Sequence, residues 1–308
     1  KHILDGRGIP VFYYGQHYMG SLEAIMAYIT GASADINTLL AGQLTSADSL
    51  AGRRSTVRTK DYWALQEAFI ELHLRDLSDS YDFIAMKGGN QVFSSDFRGF
   101  LFNDTNLGGR LFGNSLNNRL QYNVAVFDMR EKDTNSGLNT FEQRNQRVVI
   151  ANAYLQDTFF KGYTTTYSFH ANLDDADTHY DRNGNIVRPT PLGTVRPHDV
   201  RAYYLGWGGD GHIGRWNVSH QFYQAFGRDE FNGLAGRPVN INAQFAAAEI
   251  SYDRDWIRYK GSFVYASGDS KTDDGTAKGF DTILDNPNFV GGPFSYYVRQ
   301  GFNFGGTA

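Results

Sequence analysis

Acidic side chains are the densest chemistry-bearing feature of the sequence. Asp269, Asp273, Asp274, Asp281 and Asp285 fall within the single stretch Gly268 to Phe294, and carboxylate oxygens at that density are hard ligands suited to calcium. Their spacing does not follow the Asp-x-Asp-x-Asp-Gly loop pattern, so calcium competes here with a plain solvated acidic loop. Asp174, Asp175, Asp177, Asp181 and Asn183 pose the same alternative in a second stretch. Gly209-Asp-Gly-His-Ile-Gly214 has the spacing of a dinucleotide-binding turn, which works only if the last glycine opens a helix. The residues after Gly214 place Trp216, Val218, Phe222 and Phe226 on one parity, so a tight glycine turn between antiparallel strands is expected instead. His170, His212 and His220 share no ligand-like spacing, and no Ser/His/Asp arrangement stands out; a hydrolytic triad would have to be assembled in space. A last set is ionic. Glu67, Glu71, Lys87, Arg110, Glu249, Asp253, Arg258 and Lys260 all lie on the polar side of alternating segments, where charges either steer ions and solutes or pair with one another as structural bridges.

Those segments dominate the chain from about residue 61 onward, with a period of two rather than 3.6. Tyr163, Thr165, Tyr167, Phe169, Ala171 and Leu173 alternate with Thr164, Thr166, Ser168, His170 and Asn172. Ile257, Tyr259, Gly261, Phe263 and Tyr265 alternate with Arg258, Lys260, Ser262, Val264 and Ala266. Read throughout in this way, the sequence predicts strands near 61–75, 81–91, 104–114, 119–129, 147–157, 163–173, 200–209, 215–226, 241–252, 257–267 and 295–305. Most are longer than the roughly 5 to 6 residues usual in soluble proteins and close to the roughly 9 to 11 that a tilted strand needs to cross a bilayer. The connections alternate short and long, with loops expected at 92–103, 130–146, 174–199, 227–240 and 268–294, as in an outer-membrane barrel with short periplasmic turns and longer outer loops. Tyr163, Phe169, Trp207, Trp216, Tyr252, Trp256 and Tyr259 then fall mostly near strand ends, where interfacial aromatic girdles sit.

Composition narrows the function classes. The 308 residues include 29 Lys and Arg against 33 Asp and Glu, for a formal charge of -4, with no basic footprint for nucleic acid. There is no Cys, which removes disulfides, thiol nucleophiles and thiolate metal sites. The longest apolar-leaning helical run, with Leu22, Ile25, Met26 and Ile29 at helical spacing, is far short of the roughly 20 residues a spanning helix needs. Residues 31 to 58, rich in Ala, Ser, Gly, Thr and Leu, read as a linker or outer loop. Eleven strands is odd where a bacterial barrel has an even number, so a fragment of a larger barrel is expected, with Val11 to Tyr18 the alternative source of a twelfth strand.

The stretches Ala64-Leu-Gln-Glu-Ala-Phe-Ile-Glu71, Ser95-Asp-Phe-Arg-Gly-Phe-Leu-Phe-Asn103, Ala202-Tyr-Tyr-Leu-Gly-Trp-Gly-Gly-Asp-Gly-His-Ile-Gly214, Tyr265-Ala-Ser-Gly-Asp269 and Gly279-Phe-Asp281 together resemble bacterial outer-membrane β-barrels of the porin and alginate-export type. This covers roughly residues 60 to 300 and implies a barrel and passage of a solute. Gly8-Ile-Pro-Val-Phe-Tyr-Tyr-Gly-Gln-His-Tyr-Met-Gly-Ser-Leu-Glu23 resembles instead a periplasmic-loop segment of polytopic, lipid-phosphate-sugar-dependent glycosyltransferases; the acidic catalytic position of that family lies upstream of the motif, so no catalytic role carries over.

The expectation is therefore an all-β, antiparallel, up-and-down transmembrane β-barrel of about 11 or 12 visible strands over residues 59–308, preceded by a strand or loop, a short helix and a linker over residues 1–58. Its expected place is the bacterial outer membrane, among bilayer lipid and lipopolysaccharide. Its expected function is passive passage of small polar or anionic solutes or oligosaccharides, with the eight charged residues above lining the lumen. The alternatives are a barrel whose outer loops bind a partner or an ion, and an enzyme, either barrel-embedded or related to the glycosyltransferases. No cofactor is expected beyond structural calcium in the outer loops; no nucleic acid is expected as a partner, and a homo-oligomer is considered.

Overall fold

The computed structural model describes residues 65–133, 137–181, 184–190, 193–287 and 289. Alternation of β-branched and aromatic residues with small polar ones favours half-buried strands, and strands are what these residues form. In chain order they are β1 (Ala68–Asp76), β2 (Phe83–Ser94), β3 (Asn103–Ser115), β4 (Leu120–Lys132), β5 (Asn139–Gln156), β6 (Tyr163–Asp174), β7 (His179–Tyr180), β8 (Ile186–Arg188), β9 (Val200–Ile213), β10 (Trp216–Asn232), β11 (Arg237–Arg254), β12 (Ile257–Ala266) and β13 (Thr276–Ala277). One large sheet takes the order β1-β2-β3-β4-β5-β6-β9-β10-β11-β12, antiparallel at every step. The two-residue β13 adds to β11 in parallel, and β7 and β8 form a separate hairpin inside the β6–β9 connection. The described residues contain no helix, so none is long and apolar enough to cross a membrane. The strand expected at 295–305, the short helix and the strand at Val11 to Tyr18 lie outside the described residues.

Three expectations are corrected. The sheet is not closed: β1 and β12 are both edges among the described residues. The loop expected at 227–240 is a hairpin whose strands run on to Asn232 and restart at Arg237. Asn232 causes this. Its side-chain Oδ1 accepts the Leu234 and Ala235 N–H groups, its carbonyl accepts the Gly236 N–H, and Gly236 takes φ 66°, so a polar stretch that reads as a long loop is a side-chain-capped turn. The loop at 130–146 shortens in the same way, with β4 reaching Lys132 and β5 starting at Asn139. Of the seven aromatics expected mostly near strand ends, Tyr163, Trp216, Tyr252, Trp256 and Tyr259 lie at or beside strand ends, and Phe169 and Trp207 lie in mid-strand.

The two faces of the sheet differ sharply. Along one face, large apolar side chains at period two stand exposed: Ile70, Leu72 and Leu74; Val124 and Val126; Tyr167 and Phe169; Leu205 and Trp207; Phe222 and Phe226; Tyr259, Phe263 and Tyr265. The opposite face buries polar groups, among them Gln91, Asn106, Thr166, Ser168, His170, Gln221 and Glu249. What buries them is chain folded against that face. Phe100, Leu101 and Phe102, from the β2–β3 connection, and Phe280, Ile283 and Phe289, from the stretch after β13, form one apolar cluster with Phe93, Phe127, Ile150, Tyr204, Tyr223 and Phe245 of the strands. Because that cluster joins β2 and β4 to β9, β10 and β11, the sheet wraps around the inserted segments. The core therefore sits inside the curl.

Candidate functional site

The inserted segment Ser95–Phe102 is shaped by one side chain. The Asp96 carboxylate accepts the backbone N–H groups of Arg98 (2.8 Å), Gly99, Phe100 (3.1 Å) and Leu101 (3.2 Å), and also the Tyr223 hydroxyl of β10 (2.8 Å). A carboxylate can accept that many donors at once, and folding the segment around it turns otherwise unsatisfied buried N–H groups into charge-assisted bonds. Gly99 lies at φ 74° within this turn, and a Cβ there would stand 2.6 Å from Asn103 Nδ2, so glycine is required. On the β5 side, Asn152 and Tyr154 both donate to the Ser95 carbonyl at 3.1 Å. The segment is thus tied to walls on both sides of the interior.

Arg98 reaches across from this segment to the inner wall. Its guanidinium contacts Glu249 at 3.2 Å, Ser219 at 3.4 Å and Asp210 at 3.9 Å. Glu249, 6% exposed, also accepts Lys260 Nζ at 3.0 Å and Ser262 Oγ at 3.0 Å. One turn end away, Asp253 pairs with Arg258 and accepts Asn217 Nδ2 at 2.9 Å. The other four charged residues singled out in the sequence lie at the opposite side of the sheet. Lys87 Nζ is 3.7 Å from Glu71 and 3.4 Å from the centroid of the Phe69 ring; Arg110 covers the Phe112 ring at 4.3 Å; Glu67 is buried just before β1. Glu71, Lys87 and Arg110 on β1–β3 and Glu249, Asp253, Arg258 and Lys260 on β11–β12 therefore share the polar face, with the ion pairs Lys87–Glu71, Lys260–Glu249 and Arg258–Asp253. The sequence did not single out Asp96 or Arg98, which link the interior. The signal that could have found them was Ser95-Asp-Phe-Arg-Gly99, an acidic residue and a glycine directly ahead of an apolar run, which is an Asx-turn signature.

At the long-loop end the wall opens into a cavity of about 660 Å³. It lies between the β6–β9 connection, the β10–β11 turn and the stretch after β13. Its arginines are engaged. Arg188 Nη2 holds Glu131 at 2.7 Å and Asp177 at 3.3 Å, and Arg144 has partners of its own. His198 Nε2 faces Asp229 at 3.3 Å while its Nδ1 meets the Arg196 carbonyl at 2.8 Å. Asp177 is held below the usual carboxylate range, first by the Thr178 N–H and further by Asn145 and Arg188. Asp281 goes the other way. Protein surrounding it pushes its carboxyl up to about 7, with the nearby Asp285 adding to the effect; the residue is nonetheless exposed to solvent, which offsets part of that push.

The five aspartates considered for calcium do not converge. Asp269 accepts the backbone N–H groups of Lys271 and Lys278, Asp274 takes the Thr276 N–H and pairs with Lys278, Asp285 accepts the Thr282 hydroxyl, Asp281 lines the cavity, and Asp273 is exposed on a turn. Among the described residues no group of three His, Cys, Asp or Glu side chains stands close enough to hold a metal ion. The reason is local: the carboxylates cap turns beside themselves. Gly209–Gly214 ends β9, and Gly214, at φ 58°, turns the chain into β10, so the motif is a hairpin turn. No protein-family model matches the chain, and no curated protein matches it.

Proposed function

We propose that the chain forms an outer-membrane β-barrel, or most of one, that passes small polar solutes or oligosaccharides through its interior, with the cavity at the long-loop end as the mouth. The observation that carries this reading is the inverted polarity of the sheet. Each large apolar side chain left in water forgoes roughly 1.5–3 kcal/mol of burial, and more than a dozen such side chains stand exposed on one continuous face. Hydrocarbon around that face and ordered polar groups within would remove the penalty. The ion-paired groups around Glu249 and Lys87 would then line the passage and set its preference among ions.

A second reading has its own observation. Ser95–Phe102 and the Phe280–Phe289 stretch occupy the interior, as in a barrel whose lumen is shut and whose outer loops bind a partner at the surface. Single-channel conductance of the refolded chain in a planar bilayer separates the two. Stable steps of fixed size with a defined reversal potential in a salt gradient are expected of a passage. A folded, inserted barrel that never conducts would leave the surface-binding reading, in which deleting residues 268–294 abolishes partner binding.

A further inference from the structure

We propose that the groove on the outer face of β10–β12, at the short-turn end, binds one anionic phospholipid, with its phosphate on Arg215 and Arg254 and one acyl chain over Gly261. The proposal rests on the membrane reading of that face and names a partner for one part of it.

The groove has a cause in the sequence. β9 and β10 are joined by Gly214–Arg215, and β11 and β12 by Asp255–Trp256, so two tight turns close this end. Just inside them, strand register puts Trp216, Tyr252 and Tyr259 in one row across three strands, with the Trp216 and Tyr252 rings 4.8 Å apart. The next row of the same face is Val218, Ile250 and Gly261. A Cβ on Gly261 would meet only Ile250 Cγ2, at 4.0 Å, while Tyr259 and Phe263 stand exposed on either side of it along β12. The missing side chain leaves a hollow of about 400 Å³ lined by Trp216, Ile250, Tyr252, Tyr259, Lys260 and Gly261. An apolar floor with an aromatic rim suits a hydrocarbon chain, and aromatic side chains gather at the level where acyl chains meet headgroups.

Charge at that rim distinguishes headgroups. The two turns and the residues flanking them carry Arg215, Arg254 and Arg258 against Asp253 and Asp255. Asp253 is committed to Arg258, and Lys260 to Glu249. Arg215 and Arg254 are exposed, and neither side chain makes an ion pair or hydrogen bond among the described residues. Arg254 has the parity of Ile250 and Tyr252 on β11, which places it on the outer face at the strand end, and Arg215 directly precedes Trp216. A guanidinium holds a phosphate through paired N–H donors. An anionic headgroup answers the cationic surplus, whereas a zwitterionic one brings an ammonium group that the arginines repel.

The test uses the chain's own tryptophans, Trp63, Trp207, Trp216 and Trp256, with the folded full chain in phosphatidylcholine vesicles. Trp63→Phe, Trp207→Phe and Trp256→Phe together leave Trp216 to report on the groove. Trp63→Phe, Trp216→Phe and Trp256→Phe leave Trp207, in mid-strand and exposed on the same face, to report on bulk lipid. A small fraction of the lipid is replaced by phosphatidylglycerol brominated high in its acyl chains, or by phosphatidylcholine brominated in the same way. The phosphatidylglycerol should quench Trp216 at least twofold more than the phosphatidylcholine does, and the two should quench Trp207 equally. Arg215→Gln with Arg254→Gln should abolish the preference by removing the phosphate contacts, and Gly261→Leu should abolish it by filling the hollow while both arginines stay. Equal quenching of Trp216 by the two lipids would overturn the proposal. So would a preference that survives Gly261→Leu, which is diffuse attraction to charged turns rather than a site. Circular dichroism checks that each variant folds, and either one alone decides. If neither lipid quenches Trp207, the membrane reading falls and takes the site with it; if both quench Trp207 and Trp216 alike, only the site falls.

Discussion

Asp96 organises much of the interior, because its carboxylate gathers four backbone N–H groups and the Tyr223 hydroxyl. Replacing it with Ala orphans those donors in a buried setting, at about 1–3 kcal/mol for each that finds no water. Asp96→Ala should therefore free Ser95–Phe102, read as faster amide hydrogen exchange of Gly99 to Leu101; Tyr223→Phe removes one donor and should speed the same amides far less. If the interior conducts, Asp96→Ala should also enlarge the single-channel step. Glu249 joins Arg98 and Lys260, so Glu249→Gln leaves cationic surplus and should move the reversal potential in a salt gradient toward anions, while Arg258→Ala with Lys260→Ala should move it toward cations. Asp281 gives a pH test. Its carboxyl, raised from the ordinary value of 3.8 to about 7, binds its proton more tightly in the folded chain than in the unfolded one. Its contribution to stability is fully present below about pH 4 and is lost as pH rises toward 7. Exchange at Ile283 and Leu284, whose amides bond the Leu101 carbonyl, should accelerate across that window after correction for intrinsic rates, and should stay flat in Asp281→Asn.

Single strands carry two kinds of constraint, one for each face. The inner side of β9 is stripped of side chains at Gly206 and Gly208 because neighbours occupy the space: a Cβ on Gly206 would meet Ser168 Oγ and come within 2.5 Å of the Tyr223 ring. Gly206→Ala should cost about 1–3 kcal/mol through overpacking, whereas Gly261→Ala, whose Cβ would meet only Ile250 Cγ2 at 4.0 Å, should be near neutral; urea midpoints of the two variants decide this. The outer faces are tested by charge. Leu205 is 52% exposed in mid-strand. Leu205→Arg should destabilise the chain by about 2–4 kcal/mol when it is folded in phospholipid vesicles, if that face meets hydrocarbon. In a water-facing sheet the same change stays within about 0.5 kcal/mol.

The whole molecule separates what is local from what is not. Period-two alternation was readable because side chains on a strand alternate sides by covalent geometry, and ten of the predicted strands were formed where alternation placed them. The same parity identified the charged face, since Lys87 and Glu71, or Glu249 and Lys260, needed only a neighbouring strand in register to pair. Boundaries at long loops were missed at Asn232, where a side chain bonding its own backbone outweighed the loop-like composition. The five aspartates considered for calcium stand apart in the structure, because Asp269, Asp274 and Asp285 each bond a nearer donor within their own turns. The sequence by itself therefore determined strand positions, antiparallel order and the polarity of each face, all of which depend on neighbours a few residues apart or one hairpin away. Only the tertiary structure decided that Ser95–Phe102 crosses the interior, that Arg98 meets Glu249 from 151 positions away, and that Asp174 and Asp281 border one cavity. Those contacts depend on how the sheet curls, and curl arises from the summed twist and packing of all its strands, a quantity that no local run of residues encodes.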